Sequence, residues 1–143
     1  MINKNPVSVR AVIINNGRVL TLRREFDDGV IIWTFPGGHL EESDQNEKEA
    51  LARECLEEVN VEITIDELFF TQKFKGKTNK FYLCKILKGE VGKGHGPEYS
   101  EPHKYHGSHH PQWLEIKDLV DYDLRPKELR DKIMVLYKNE KDK

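Results

Sequence analysis

Three glutamates stand where a helix would bring them together: Glu54, Glu57 and Glu58 occupy positions i, i+3 and i+4. On a helix at about 100° per residue, their side chains emerge on one face within about 5–6 Å of one another. Carboxylates at that spacing repel, and solubility alone does not require them side by side. Hard oxygen donors of this kind suit a divalent cation, whose charge offsets the repulsion. Arg53 lies one turn before Glu57, where a guanidinium fixes a carboxylate's orientation by charge-assisted hydrogen bonds. Taken alone, the set also fits an ordinary solvated acidic face. The residues upstream favour a site. Pro36-Gly37-Gly38 would let backbone carbonyls come close to a cation, and Glu41 and Glu42 add carboxylates in the segment leading into the helix.

Positioning such a set takes a helix with an apolar face and strands to pack it on. From Asp44 onward, Leu51, Ala52, Cys55, Leu56 and Val59 recur with helical period, and Asp44 and Glu47 have capping-box spacing. Cys55 is thereby expected in the core. Val7 to Ile14 and Val19 to Leu22 flank Asn15-Asn16-Gly17, a hairpin signal because Asn-Gly accepts the positive φ of a type I′ turn. Val30 to Phe35, Val61 to Ile65, Leu68 to Phe74 and Lys80 to Leu87 read as further strands, with Lys75 to Asn79 as a turn. Gly89 to Pro111 holds Gly92, Gly94, Gly96, Gly107 and five histidines, and is predicted as a long functional loop. Gln112 to Glu115 reads as a short strand. A last helix is expected from about Pro126, with Leu129, Ile133, Leu136 and Tyr137 on one side and a charged tail from Asn139 that frays. No repeat or linker interrupts this order, which reads as a mixed α/β sandwich in one domain over residues 1–143.

The composition agrees with that reading. A chain of 143 residues with a 37% apolar share suits one core, and a net charge of −2 offers no basic field for a polynucleotide. Cys55 and Cys84 belong to no Cys-x-x-Cys pair and are expected as buried, reduced thiols. Met1 to Arg10 lacks the apolar run of a signal peptide, and no stretch approaches the roughly 20 apolar residues that span a bilayer. A soluble cytoplasmic protein without a membrane partner is the expectation.

Gly38-His39-Leu40-Glu41-Glu42-Ser43-Asp44, followed by Arg53-Glu54-Cys55-Leu56-Glu57-Glu58-Val59-Asn60-Val61, resembles the Nudix box of MutT-like hydrolases. That pattern is a glycine, an acidic residue, then Arg-Glu-aliphatic-x-Glu-Glu-x-Gly-aliphatic. Three departures stand out. Ser43-Asp44 replaces the usual Gly-Glu, the run from Gly38 to Arg53 is one residue longer, and Asn60 replaces a glycine, a mild change because Asn also tolerates a left-handed cap. The shorter carboxylate of Asp44, displaced by the added residue, puts its usual supporting role in doubt.

The resemblance implies an α/β/α sandwich with a mixed sheet, a central catalytic helix and a C-terminal helix. It implies a metal-dependent hydrolase that cleaves the pyrophosphate linkage of a nucleoside diphosphate-linked small molecule, a nucleoside triphosphate being the favoured class. By position, Glu54, Glu57, Glu58 and the carbonyl of Gly37 would hold Mg²⁺ or Mn²⁺, with Arg53 orienting the glutamates. The general base would be Glu54 or a later loop glutamate, Glu98 ahead of Glu101. Arg23 and Arg24, after the second strand, are candidates for substrate phosphate. The five loop histidines read as polar loop rather than a zinc site. Trp33, Phe74 and Tyr82 are either core residues or platforms for a base. The competing readings are a non-catalytic nucleotide sensor, whose signature would be damaged glutamates, and an isomerase branch that needs a catalytic cysteine, which a core-facing Cys55 does not provide. A homodimer is left open.

Overall fold

The computed structural model describes residues 7–141; the leader reading of Met1–Arg10 and the end of the charged tail lie partly outside them. Strands β1 (Val7–Asn15) and β2 (Arg18–Phe26) form the expected hairpin, with Asn16 and Gly17 at φ 53° and 73°. Then come β3 (Ile31–Thr34), β4 (Gly37–His39), helix α1 (Glu47–Val59), β5 (Glu62–Phe74), β6 (Lys77–Lys88), a one-turn helix α2 (Pro97–Ser100), β7 (Gly107–Glu115) and helix α3 (Lys127–Lys141). The strand order is β3-β2-β1-β6-β5, with β4 beside β1 and β7 beside β2. The sheet is mixed: β1 runs parallel to β6, from Val7↔Thr78 to Ile13↔Cys84, while the other pairings are antiparallel.

Strand alternation splits the core in two, because successive side chains leave opposite faces. Val9, Ala11 and Ile13 of β1, Leu20 and Leu22 of β2, and Tyr82 and Cys84 of β6 meet Ala50, Leu51, Cys55 and Val59 of α1. Val12, Val19 and Phe81 face the other way and meet Leu129 and Ile133 of α3. The helices therefore cover opposite faces, giving the α/β/α sandwich. Both cysteines are free and buried. Among the described residues no helix is long and apolar enough to cross a membrane.

Several boundaries differ from the sequence reading. Asn46, not Asp44, caps α1, its Oδ1 accepting from the Glu49 amide at 2.9 Å. The strands expected at Val61 to Ile65 and Leu68 to Phe74 are one strand, β5, whose register slips between Ile65 and Leu68, so the Asp66-Glu67 bulge accommodates the polar break. The long loop ends at Gly107, since β7 pairs with β2 from Phe26↔Gly107 onward, and it contains α2. Short β4 escaped notice because two glycines carry no strand signal. α3 continues through Asn139 to Lys141 rather than fraying from Asn139.

Candidate functional site

Helix α1 turns one stripe to the core and the adjoining stripe to a cavity of about 550 Å³ lined by Glu54, Glu57, Glu58 and Glu98. Two glycines let β4 pass between this helix and β1. A Cβ on Gly37, at φ 148°, would lie 2.1 Å from the Val9 carbonyl oxygen, and one on Gly38 would lie 2.6 Å from the Glu54 carboxylate carbon. No larger residue fits at Gly37, and one at Gly38 would have to push the Glu54 carboxylate aside. The Gly37 amide donates to Glu58 Oε1 at 2.6 Å, anchoring the carboxylate of a residue that is only 8% exposed.

Arg53 joins the acidic groups. Its Nε and Nη2 donate to Asp44 Oδ1 and Oδ2 at 3.0 and 2.9 Å, and its Nη1 donates to Glu54 Oε1 at 3.0 Å and Glu57 Oε1 at 3.3 Å. Asp44 thus reaches the arginine, a role that its length and displacement had put in doubt. The Asp44 carboxylate also accepts from the Glu41 amide at 2.8 Å, and this short loop brings it to the arginine despite the added residue. The Arg53 guanidinium holds the Asp44 carboxyl below the usual range, and Asp44 in turn holds Arg53 firmly in its charged form.

Glu54 and Glu58, which α1 turns into the cavity, move the other way. Burial pushes Glu54 to about 7, against the pull of Arg53 and with the repulsion of Glu57 and Glu98. Burial pushes Glu58 to about 8, against the Gly37 amide and Arg10. Glu98 is raised by burial as well. It is 8% exposed, and among the described residues its Oε1 has no hydrogen-bond partner.

The strands supply positive charge to the same cavity. Arg10 donates to the Phe35 carbonyl at 2.9 Å, and Arg24 leaves β2 on the same face as Leu22. Arg23, one residue earlier, leaves the opposite face and pairs with Glu25, so only Arg24 of that pair lines the cavity. His109 of β7 lies opposite Arg24 in the ladder and is buried, with Tyr99 edge-on at 6.5 Å. Burial and Arg24 press His109 down to about 4, so its imidazole is neutral at pH 7.

The donor set suits a divalent cation: five hard carboxylates, Glu41 with the four glutamates of the helices, line one cavity, one of them with a buried oxygen that has no hydrogen-bond partner among the described residues, and burial disfavours their unbalanced charge. The glutamates line the space without closing on one point. Arg53 holds Glu54 and Glu57, the Gly37 amide holds Glu58, and among the described residues no three acidic, histidine or cysteine groups converge as an ion cage.

Other sequence candidates lie elsewhere. Glu101 pairs with Lys104 at 3.1 Å outside the cavity. Trp33 donates to Gln112 and packs edge-on against Tyr122, and the Tyr82 hydroxyl donates to Glu47. Phe74 is 61% exposed, which contradicts a core position. Arg10 and His109 were missed. A lone charge inside the apolar run of β1 was a readable signal for Arg10; for His109, one of five histidines in a row of loop residues, there was none.

The NUDIX domain family matches residues 4–135 of the chain. A MutT-like protein of Streptomyces ambofaciens is 41% identical over 82 residues, covering 55% of this chain and 51% of that protein, so the chain spans about half the length of this relative. A CTP pyrophosphohydrolase of Escherichia coli is 25% identical over 122 residues, covering 85% and 84% of the two chains. The crystal structure of a NUDIX hydrolase from Nitrosomonas europaea superposes with a TM-score of 0.69 at 19% identity, covering 96% of this chain and 73% of that one.

Proposed function

Because this chain belongs to the NUDIX domain family, we propose that it is a metal-dependent hydrolase that cleaves the pyrophosphate linkage of a nucleoside diphosphate-linked small molecule, with nucleoside triphosphates as the favoured class. One observation carries the reading: a single cavity is lined by four carboxylates from the helices and by Arg10 and Arg24 from the strands. Carboxylates alone would repel a polyphosphate, and arginines alone would bind it without activating water. The combination serves both needs.

Glu54, Glu57, Glu58 and the carbonyl of Gly37 would hold Mg²⁺ or Mn²⁺, which supplies charge neutralisation and a more acidic water. Arg53, fixed from behind by Asp44, keeps Glu54 and Glu57 in place. Arg10 and Arg24 take phosphate oxygens, whose negative charge grows on the departing group as the bridging P–O bond breaks. Glu98 accepts the proton of the attacking water. It is preferred over Glu54 because Arg53 already occupies Glu54, whereas Glu98 Oε1 is unpartnered among the described residues. The neutral imidazole of His109 borders Arg24 without adding charge.

A second cavity of about 470 Å³ shares Arg10 and Thr34 with the first and offers the amides of Gln72 and Asn79, together with Arg125 and Lys127. That adjoining space supports a substrate larger than diphosphate, and its amides suit a polar ring such as a nucleobase. Purified protein incubated with nucleoside triphosphates, nucleotide sugars and ADP-ribose, in Mg²⁺ or Mn²⁺, should release monophosphate products, fastest from a triphosphate. Turnover of none of them would count against the hydrolase and for a sensor. A faster nucleotide sugar would move the substrate class and leave the reaction in place.

A further inference from the structure

The segment after β6 meets the end of α1 in a regular register. The carbonyls of Glu57, Glu58 and Val59 accept from the amides of Gly96, Gly94 and Gly92, at 3.0, 3.3 and 3.2 Å. Final carbonyls of a helix have no partner within it; here alternate glycines of a distant loop satisfy consecutive ones. The Tyr99 hydroxyl donates to the Glu58 carbonyl as well, and the Asn60 side chain donates to the Glu90 carbonyl at 3.2 Å.

Two of these glycines act through the missing side chain. A Cβ on Gly94 would stand 1.8 Å from the Glu57 carbonyl oxygen, so any larger residue lifts the loop from the helix. Gly96 has an ordinary backbone, φ −68° and ψ 162°, which any residue adopts. Its Cβ would instead lie 2.4 Å from Glu98 Oε1. The peptide units that carry Glu57 and Glu58 into the cavity are thus the ones that hold the loop bearing Glu98.

Resting on the hydrolase reading above, we propose that Gly92, Gly94, Gly96 and Tyr99 form a positioning strap that registers the loop on the last turn of α1 and holds Glu98 at a fixed offset from Glu57 and Glu58. Glu98 has no side-chain partner for Oε1 among the described residues, so its backbone must place it.

The test is a double-mutant cycle with amide exchange beside it. Gly96→Ala should lower kcat by roughly 10- to 100-fold by displacing one carboxylate. In a Glu98→Ala background it should change kcat by less than about twofold, since its Cβ then has nothing to strike. Tyr99→Phe removes one oxygen and keeps the ring beside His109; it should lower kcat by about 3- to 10-fold with KM unchanged. Hydrogen exchange should show the Gly92, Gly94 and Gly96 amides protected in the parent, with protection weakened in Tyr99→Phe and lost in Gly94→Ala. The strap is overturned if Gly96→Ala costs the same in both backgrounds, or if those amides exchange freely while the parent turns over substrate. A parent that turns over nothing while the amides stay protected overturns instead the hydrolase reading and the strap's action through Glu98.

Discussion

Helices α1 and α3 pack on opposite faces of the same sheet, and they divide the work of the molecule unevenly. α3 buries Leu129 and Ile133 completely among Val12, Val19, Phe81 and Leu114. α1 buries smaller residues, Ala50, Cys55 and Val59 with Leu51, and commits the adjoining stripe to carboxylates that burial pushes up to about 7 and 8. One face therefore concentrates apolar contact, whereas the other also retains carboxylates whose charge burial disfavours despite the arginines beside them. Such concessions to function are tolerable because a stable core adjoins them.

The sharpest way to break this contrast is Glu57→Gln. Activity should fall on the order of 10²- to 10³-fold through the loss of a charged ligand, while thermal melting stays within about two degrees, because the Glu57 side chain's one hydrogen bond among the described residues is a 3.3 Å contact with Arg53. A melting loss typical of a core residue would show that α1 carries stability through its acids. Ile133→Ala is the reciprocal variant on α3: denaturant unfolding should show a loss of about 2–5 kcal/mol, with kcat of the folded fraction unchanged. A collapse of kcat there would remove the division between the two faces. Arg53→Lys should reduce activity by roughly 10- to 100-fold, because an ammonium cannot keep both contacts to Asp44 while reaching Glu54 and Glu57. Unchanged activity would mean that the glutamates need no orientation.

The smallest effect is also the most specific. Glu54 and Glu58 are raised in the folded state, so folding takes up protons between the ordinary carboxylate range and about 7 to 8. Stability from these two groups is then greatest at low pH and falls as pH rises through that window. Metal-free protein should accordingly lose several degrees of melting temperature between about pH 5 and pH 8, relative to the Glu58→Gln variant. Added Mg²⁺ should raise the melting temperature more at the upper end. A profile identical in parent and variant would separate Glu58 from the effect.

The residues of the site were legible to the extent that their chemistry is local. Glu54, Glu57 and Glu58 share a face by helical geometry, and Arg53 reaches Glu57 across one turn, so both follow from spacing. Asn60 at φ 64° follows from a local conformational preference. Asp44 did not, because its reach depends on how Glu41 to Asp44 folds back, and chain length is a poor guide to a loop that closes on its own hydrogen bonds. Phe74 read as apolar and proved exposed, since nothing in a hairpin tip's sequence says whether a partner covers it.

Periodicity and turn chemistry determined the elements themselves: the Asn16-Gly17 hairpin, the helix bearing the acids, the last helix, and the alternation that gives a sheet two apolar faces. Those signals are short-ranged, and each is complete within about one or two turns of chain. Tertiary structure alone decided that Arg24 rather than Arg23 meets the cavity, that His109 stands opposite Arg24, and that Gly92, Gly94 and Gly96 settle on the end of α1. Each depends on strand register or on the docking of a loop, set by contacts between residues far apart in sequence, and a one-residue slip would have sent a different side chain inward.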